Sequence, residues 1–235
     1  IAVVVGCATL LFCCLAGAAE PPTEPILRIE TGRHTAPIRH IATDAGSRWL
    51  ATVSDDKTLR LWDLQKVSII QTLRPPIDNG NNGKLYSVAM SPDGAYVATG
   101  GWNLWEKGSS IYVFQRDGGQ MVHNINGLPN VIYELAWSPD GRYLAVGMGG
   151  KSGIRVFRGD NFAPAGQDRD YGSLVNCLDF DQQGRLVTSS NDGSLRLYQI
   201  APGGLQLLNK KTAPGGKKPV GVRFSPDGKK IAVGF

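Results

Sequence analysis

By length, the 235 residues allow one or two domains, and the formal charge of +5 is unevenly placed. Residues 205–235 hold Lys210, Lys211, Lys217, Lys218, Arg223, Lys229 and Lys230 against Asp227 alone, without the aromatic interleaving that base stacking needs. Solvated hairpin tips are therefore expected there ahead of a surface for nucleic acid or anionic lipid. Cys7, Cys13 and Cys14 lie within residues 1–19 and Cys177 stands alone on a strand pattern, which excludes a disulfide framework and predicts a core thiol.

Residues 1–19 carry no charge and end on Ala16-Gly17-Ala18-Ala19 before Glu20-Pro21-Pro22. Small residues ahead of a polar, proline-bearing stretch predict a cleaved signal peptide, with an uncleaved membrane anchor as the competing reading. Either one exports the remainder of the chain. Residues 20–25 form a short linker, and Ile26 to Glu30 reads as a strand.

The next stretch is the clearest in the chain. Leu50-Ala-Thr-Val runs into the polar turn Ser54-Asp-Asp-Lys57, and an alternating strand then ends on Trp62-Asp63. This is a β-hairpin, with strands expected near 38–43, 48–53, 58–62 and 67–73. A turn follows the first strand of each unit: Asp-Ala-Gly-Ser47, Ser-Pro-Asp-Gly94, Ser-Pro-Asp-Gly141, Asp-Gln-Gln-Gly184 and Ser-Pro-Asp-Gly228. Successive turns are 47, 47, 43 and 44 residues apart. The strand closed by Trp62 recurs at Phe114, Phe157 and Tyr198, so one large aromatic fills one slot four times. The units span about residues 31–74, 84–125, 130–170, 173–210 and 218–235.

This period, the closing Trp62-Asp63 and the Gly32-Arg33-His34 that precedes the first strand resemble the WD-repeat β-propeller family, of exported, bacterial type. Arg33, between the glycine and the histidine, is a small departure. The resemblance implies an all-β propeller over residues 26–235, built of four-stranded antiparallel blades. The chain begins without methionine and stops inside a strand, so about four and a half blades of an expected seven are present. It also implies that the strand at 26–30 helps close the ring, and that His34, Ser54, Asp56 and Trp62 form a structural hydrogen-bonded tetrad. The fourth unit keeps Ser190, Asp192 and Tyr198 but has no histidine near Tyr171-Gly172, so a partial network is expected there.

Two stretches are longer than folding needs. Pro75 to Lys84 is polar and turn-rich, and fails as a calcium loop because Gly80 and Ala89 stand where oxygen ligands are required. Gly101 to Ser109 carries Trp102 and Trp105. Long loops on a rigid β scaffold are where binding resides, so a protein partner is expected at Trp102 and Trp105 with a rim of Asn79, Asn81, Asn82 and Lys107. The loop 148–152 and the connection 160–173 are expected on the same face.

Ala145 to Ser152 approaches a phosphate-binding loop, but a strand follows instead of the helix whose N–H groups would hold phosphate, so no nucleotide is expected. His34, His40 and His123 assemble into no catalytic pair or metal cluster at recognisable spacing, and Glu134, Asp179 and Arg223 look scattered along inner strands. Neither cofactor nor catalysis is expected. The reading is a non-catalytic protein-binding scaffold outside the cytoplasm. Its rivals are a propeller enzyme of lactonase or quinone-dependent dehydrogenase type and the sensor half of a larger protein.

Overall fold

The computed structural model describes residues 31–103, 108–201 and 203–235. The expected leader, linker and strand within residues 1–30 lie outside the described residues, as do Trp105 and Lys107. Four sheets of four strands follow one another, each antiparallel and in sequence order. The first holds β1 (Ile38–Thr43), β2 (Trp49–Ser54), β3 (Leu59–Asp63) and β4 (Ser68–Leu73). The second holds β5 (Lys84–Met90), β6 (Tyr96–Trp102), β7 (Ser109–Gln115) and β8 (Met121–Leu128). The third holds β9 (Ile132–Trp137), β10 (Tyr143–Met148), β11 (Ile154–Arg158) and β12 (Pro164–Asp168). The fourth holds β13 (Val175–Phe180), β14 (Arg185–Ser190), β15 (Ser194–Ala201) and β16 (Gly204–Thr212). A fifth begins with β17 (Gly221–Phe224) and β18 (Ile231–Gly234). Among the described residues the only helical element is a 3-10 turn at Pro214–Gly216. This is the all-β propeller that the period predicts, with four complete blades and part of a fifth.

The tight turns are built by side chains. Ser91 Oγ donates to Asp93 Oδ1 at 2.6 Å and accepts from the Tyr96 N–H at 2.9 Å, while Gly94 adopts φ 70°. Ser138-Pro-Asp-Gly141 and Ser225-Pro-Asp-Gly228 repeat the arrangement. In blade one a single residue substitutes: Asp44 Oδ1 accepts from the N–H groups of Arg48 and Trp49, both at 2.8 Å. These bonds satisfy backbone donors that a turn otherwise leaves open, which explains the recurrence of Ser and Asp at these positions.

The core is a series of apolar layers between successive blades. Val53, Leu61, Val88 and Tyr112 pack between blades one and two, and Ala98, Ile132, Leu144 and Met148 between two and three. Ala145, Val156, Leu178 and Tyr198 fill the next layer. Strands buried on both faces read as apolar runs such as Tyr143-Leu-Ala-Val-Gly-Met148, whose burial is almost complete.

Antiparallel order puts two sets of loops on opposite faces. The entering face carries the loops that lead into each blade and the β2–β3-type turns; the turn face carries the β1–β2- and β3–β4-type turns. The connection 160–173, expected on the entering face, is split: 159–163 is the β11–β12 turn on the turn face, and only 169–174 leads into the fourth blade. The cations of 205–235 are also divided, with Lys217 and Lys218 before β17, Lys229 and Lys230 in the β17–β18 turn and Lys210 paired to Asp170 at 3.1 Å.

Candidate functional site

Blade one is pinned by a buried polar network. His34 Nδ1 lies 2.9 Å from Asp56 Oδ2 and His34 Nε2 lies 2.8 Å from Thr52 Oγ1, which also accepts from Trp62 Nε1 at 2.9 Å. The indole can only donate, so the Thr52 hydroxyl proton is free for Nε2, and Nδ1–H then points at the carboxylate. Burial opposes ionisation of Asp56, but the Thr58 hydroxyl, the Thr35 N–H and His34 together hold its pKa below the usual carboxylate range. The expected member Ser54 is not in this chain of bonds. Its hydroxyl donates to the Ala36 carbonyl at 3.0 Å and accepts from the Asp56 N–H at 3.0 Å, so it shapes the turn instead.

Blade four has a counterpart built from other residues and differently linked. The Tyr171 hydroxyl stands where the imidazole would, 2.8 Å from Thr188 Oγ1 and 2.9 Å from the Tyr198 hydroxyl, which donates to Asp168 at 2.8 Å. Arg196 lies 3.9 Å over the Tyr171 ring and donates to Asp192 Oδ2 at 2.7 Å. Burial opposes it, yet Arg196 and the N–H groups of Gly172 and Ser194 hold Asp192 down at about 2. The tyrosine takes the histidine position toward Thr188 and Tyr198, while Asp192 is held by Arg196 and backbone N–H groups and not by the ring hydroxyl.

The inner strands carry a second pattern. Each of the first four is interrupted by a β-bulge near its start, at Arg39, Tyr86, Tyr133 and Asn176. A bulge re-aims the side chain of its extra residue, and here all four reach entering-face elements. Arg39 forks onto Asp55 in the β2–β3 turn and its guanidinium lies 5.6 Å from the Tyr86 ring centroid. The Tyr86 and Tyr133 rings are 5.9 Å apart, Tyr133 packs beside Gly149, and Asn176 donates to Asn191 and to the Pro219 carbonyl. Arg39 is exposed, and the other three are half-buried. Together they form a polar aromatic crescent at the channel mouth.

Beside the crescent, the Gly83 N–H donates to the Trp102 carbonyl at 2.7 Å, which brings the 75–84 loop against the end of β6. Trp102 and Asn82 are half-buried; Asn79 and Asn81 are exposed.

One residue further along each strand, His40, Ser87, Glu134 and Cys177 occupy one repeat slot, 47, 47 and 43 residues apart. These are the spacings of the turns, a signal that aligning the units would have exposed. His40 Nδ1 is 3.1 Å from the Val88 carbonyl, and Ser87 Oγ accepts from the Leu135 N–H at 2.8 Å. Cys177 Sγ is 3.9 Å from Glu134 Oε1, Arg223 Nη1 donates to Cys177 Sγ at 2.7 Å, and Asp179 Oδ2 accepts from the Phe224 N–H at 2.6 Å. Glu134, Asp179 and Arg223, expected to be scattered, are gathered around the channel. Burial pushes Glu134 up to about 8, with the Arg223 charge and the thiol only partly opposing it. Burial, then Arg223, pushes His40 down. Among the described residues no group of His, Cys, Asp and Glu is arranged to hold a metal ion.

The pattern described as WD domain, G-beta repeat matches residues 27–63, 69–104, 119–158 and 168–199, more than half of the chain. Protein HIR1 of Cryptococcus neoformans var. neoformans serotype D is 30% identical over 66 residues, 28% of this chain and 8% of HIR1. Small ribosomal subunit protein RACK1y of Oryza sativa subsp. japonica is 29% identical over 79 residues, 32% of this chain and 22% of its own. A chain of the crystal structure of the mitotic checkpoint complex superposes with a TM-score of 0.72 at 18% identity, covering 86% of this chain and 62% of that one. This structural likeness establishes the fold, and the chain spans less than two thirds of each of these relatives.

Two predictions test the polar networks. Thr52→Val keeps the shape of the side chain but leaves the indole and imidazole without their shared hydroxyl, and Asp56→Ala unpairs the other end. Each should cost about 1–3 kcal/mol in denaturant unfolding, and unchanged midpoints in both variants would contradict the assignment. The second concerns pH. Folded Glu134 holds its proton more tightly than the unfolded chain, whose value is 4.5. Its contribution to stability is therefore complete below that value and is lost as pH rises through about 8. Glu134→Gln should melt with the parent chain near pH 5 and above it near pH 9, by an amount on the order of 4 kcal/mol. Parallel pH profiles would contradict this.

Proposed function

The chain belongs to the WD domain, G-beta repeat family, and from that premise we propose that it is a protein-binding scaffold whose partner docks on the entering face at the channel mouth. The observation that carries this reading is the run of four bulges. A regular strand would suffice for folding, yet each of the first four inner strands has a bulge that presents Arg39, Tyr86, Tyr133 or Asn176 at one rim. Tyrosine and arginine are residue types that anchor interfaces: tyrosine combines area and a polar handle with few rotors to freeze, and the planar arginine fork supplies several directed donors. Arg39 uses its Nε and one Nη2 donor on Asp55, which leaves further N–H groups directed to solvent. Trp102 and the exposed Asn79 and Asn81 extend the surface over blade two, in keeping with the long 75–84 loop packed there. HIR1 and RACK1y bring no partner identity to this chain, and the checkpoint-complex chain supports the fold alone.

We also propose export. Its support is the uncharged run of residues 1–19 with Ala16-Gly17-Ala18-Ala19 at its end.

Two experiments test these readings. A photo-crosslinking residue placed at Tyr86 or Tyr133 should yield a protein adduct in source cells, whereas one at Arg142, on the turn face, should not. Equal adducts at all three sites, or none at the tyrosines, would refute the docking face. Residues 1–25 behind a restored start should activate a reporter that works only outside the cytoplasm; activity retained in the cytoplasm would refute export.

A further inference from the structure

The inner strands line an open cavity of about 550 Å³ that faces the turn side, away from the crescent. Ala42, Ala89 and Ala136 line its wall, and His40, Glu134, Asp179 and Arg223 stand toward its inner end. Glu134 is 6% exposed, and its oxygens receive no short bond from nitrogen or oxygen: His40 Nε2 is 3.6 Å away and the Cys177 thiol 3.9 Å. The neighbouring cation does not fill the gap. Arg223 commits Nη1 to Cys177 Sγ and to the carbonyls of Leu178 and Val222, and to neither carboxyl. Two carboxyl groups therefore share one guanidinium that is tied elsewhere.

We propose that this cavity binds an alkylguanidinium or alkylammonium group, with its apolar stem along Ala42, Ala89 and Ala136 and its cationic head at Glu134 and Asp179. A buried carboxyl whose hydrogen-bond donor is a weak thiol is stabilised either by a proton or by a paired cation. Glu134 keeps a proton up to about pH 8, so in the empty cavity a proton stands where the guest's charge would lie. Binding releases that proton to solvent and pairs the remaining carboxylate with the guest. Small alanines leave a slot that suits a methylene stem. A guest anion would meet the Asp179 carboxylate and leave Glu134 unrelieved. The groups facing Glu134 are His40 from β1, Cys177 and Asp179 from β13 and Arg223 from β17; β5 offers Ser87 and β10 offers Gly147, which do not titrate. This site lies on the turn-face side of the channel, apart from the docking crescent.

Titration calorimetry on the full chain tests it, with N-acetyl-arginine amide, N-acetyl-lysine amide carrying a free side-chain amine, and N-acetyl-citrulline amide as the neutral isostere. The two cations should bind and citrulline should not. Affinity should rise at least about tenfold between pH 6.5 and pH 8.5, and buffers of different ionisation enthalpy should report close to one proton released near pH 7. Glu134→Gln, melting normally at pH 6, should lose both the binding and its pH dependence. An arginine-bearing decapeptide run in parallel identifies the source: tighter binding of the peptide points to a protein side chain, tighter binding of the amide to a free small cation, and either sustains the proposal. Equal binding of citrulline, affinity that falls with pH, no binding by either cation, or a Glu134→Gln chain that binds as the parent does would each overturn it.

Discussion

A propeller blade has to expose one edge of its innermost strand to the central channel. That edge carries backbone N–H and C=O groups with no neighbouring strand to pair them, and leaving such groups unpaired costs about as much as a lost hydrogen bond each. The protein meets this constraint with side chains of the adjacent blade. Ser87 of blade two takes the Leu135 N–H of blade three, and Asp179 of blade four takes the Phe224 N–H of blade five. His40 reaches the Val88 carbonyl, and Arg223 reaches back to the Leu178 carbonyl. The bonds that close the edges also join consecutive blades, so the apolar layers between blades are held in register at their inner ends. The functional candidates derive from this geometry: the slot of His40, Ser87, Glu134 and Cys177 makes the girdle, and the bulge residue before each one is turned out to the mouth.

The parts of the fold legible in the sequence were those fixed by local chemistry. A Ser-Pro-Asp-Gly turn needs only its own hydroxyl, carboxylate and left-handed glycine, so it announces itself at Gly94, Gly141 and Gly228. The aromatic that closes each third strand is equally local. The strands of the first blade followed within one residue, because turn spacing and alternation leave little freedom.

What the sequence concealed depends on register across strands. Thr52 and Ser54 are two residues apart on one face of β2, and either could be the hydroxyl of the network. Pairing of Leu50 with Trp62 sets the indole diagonally beside Thr52 and out of the reach of Ser54. Tyr171 was hidden for another reason. A phenol replaces an imidazole there, and it is recognisable only once Tyr198 and Thr188 are seen around it. Glu134, Cys177 and Arg223 sit on three strands more than forty residues apart in sequence, and nothing local marks them as neighbours.

The girdle is tested most directly by amide hydrogen exchange at the channel edge. The Leu135 and Phe224 N–H groups face no strand partner on their inner side, yet both are held by carboxylate or hydroxyl oxygens of the neighbouring blade. They should exchange as slowly as ladder amides in the centres of β2, β6 and β10. Exchange at the rate of solvent-exposed loop amides would contradict the claim that side chains of one blade seal the inner edge of the next.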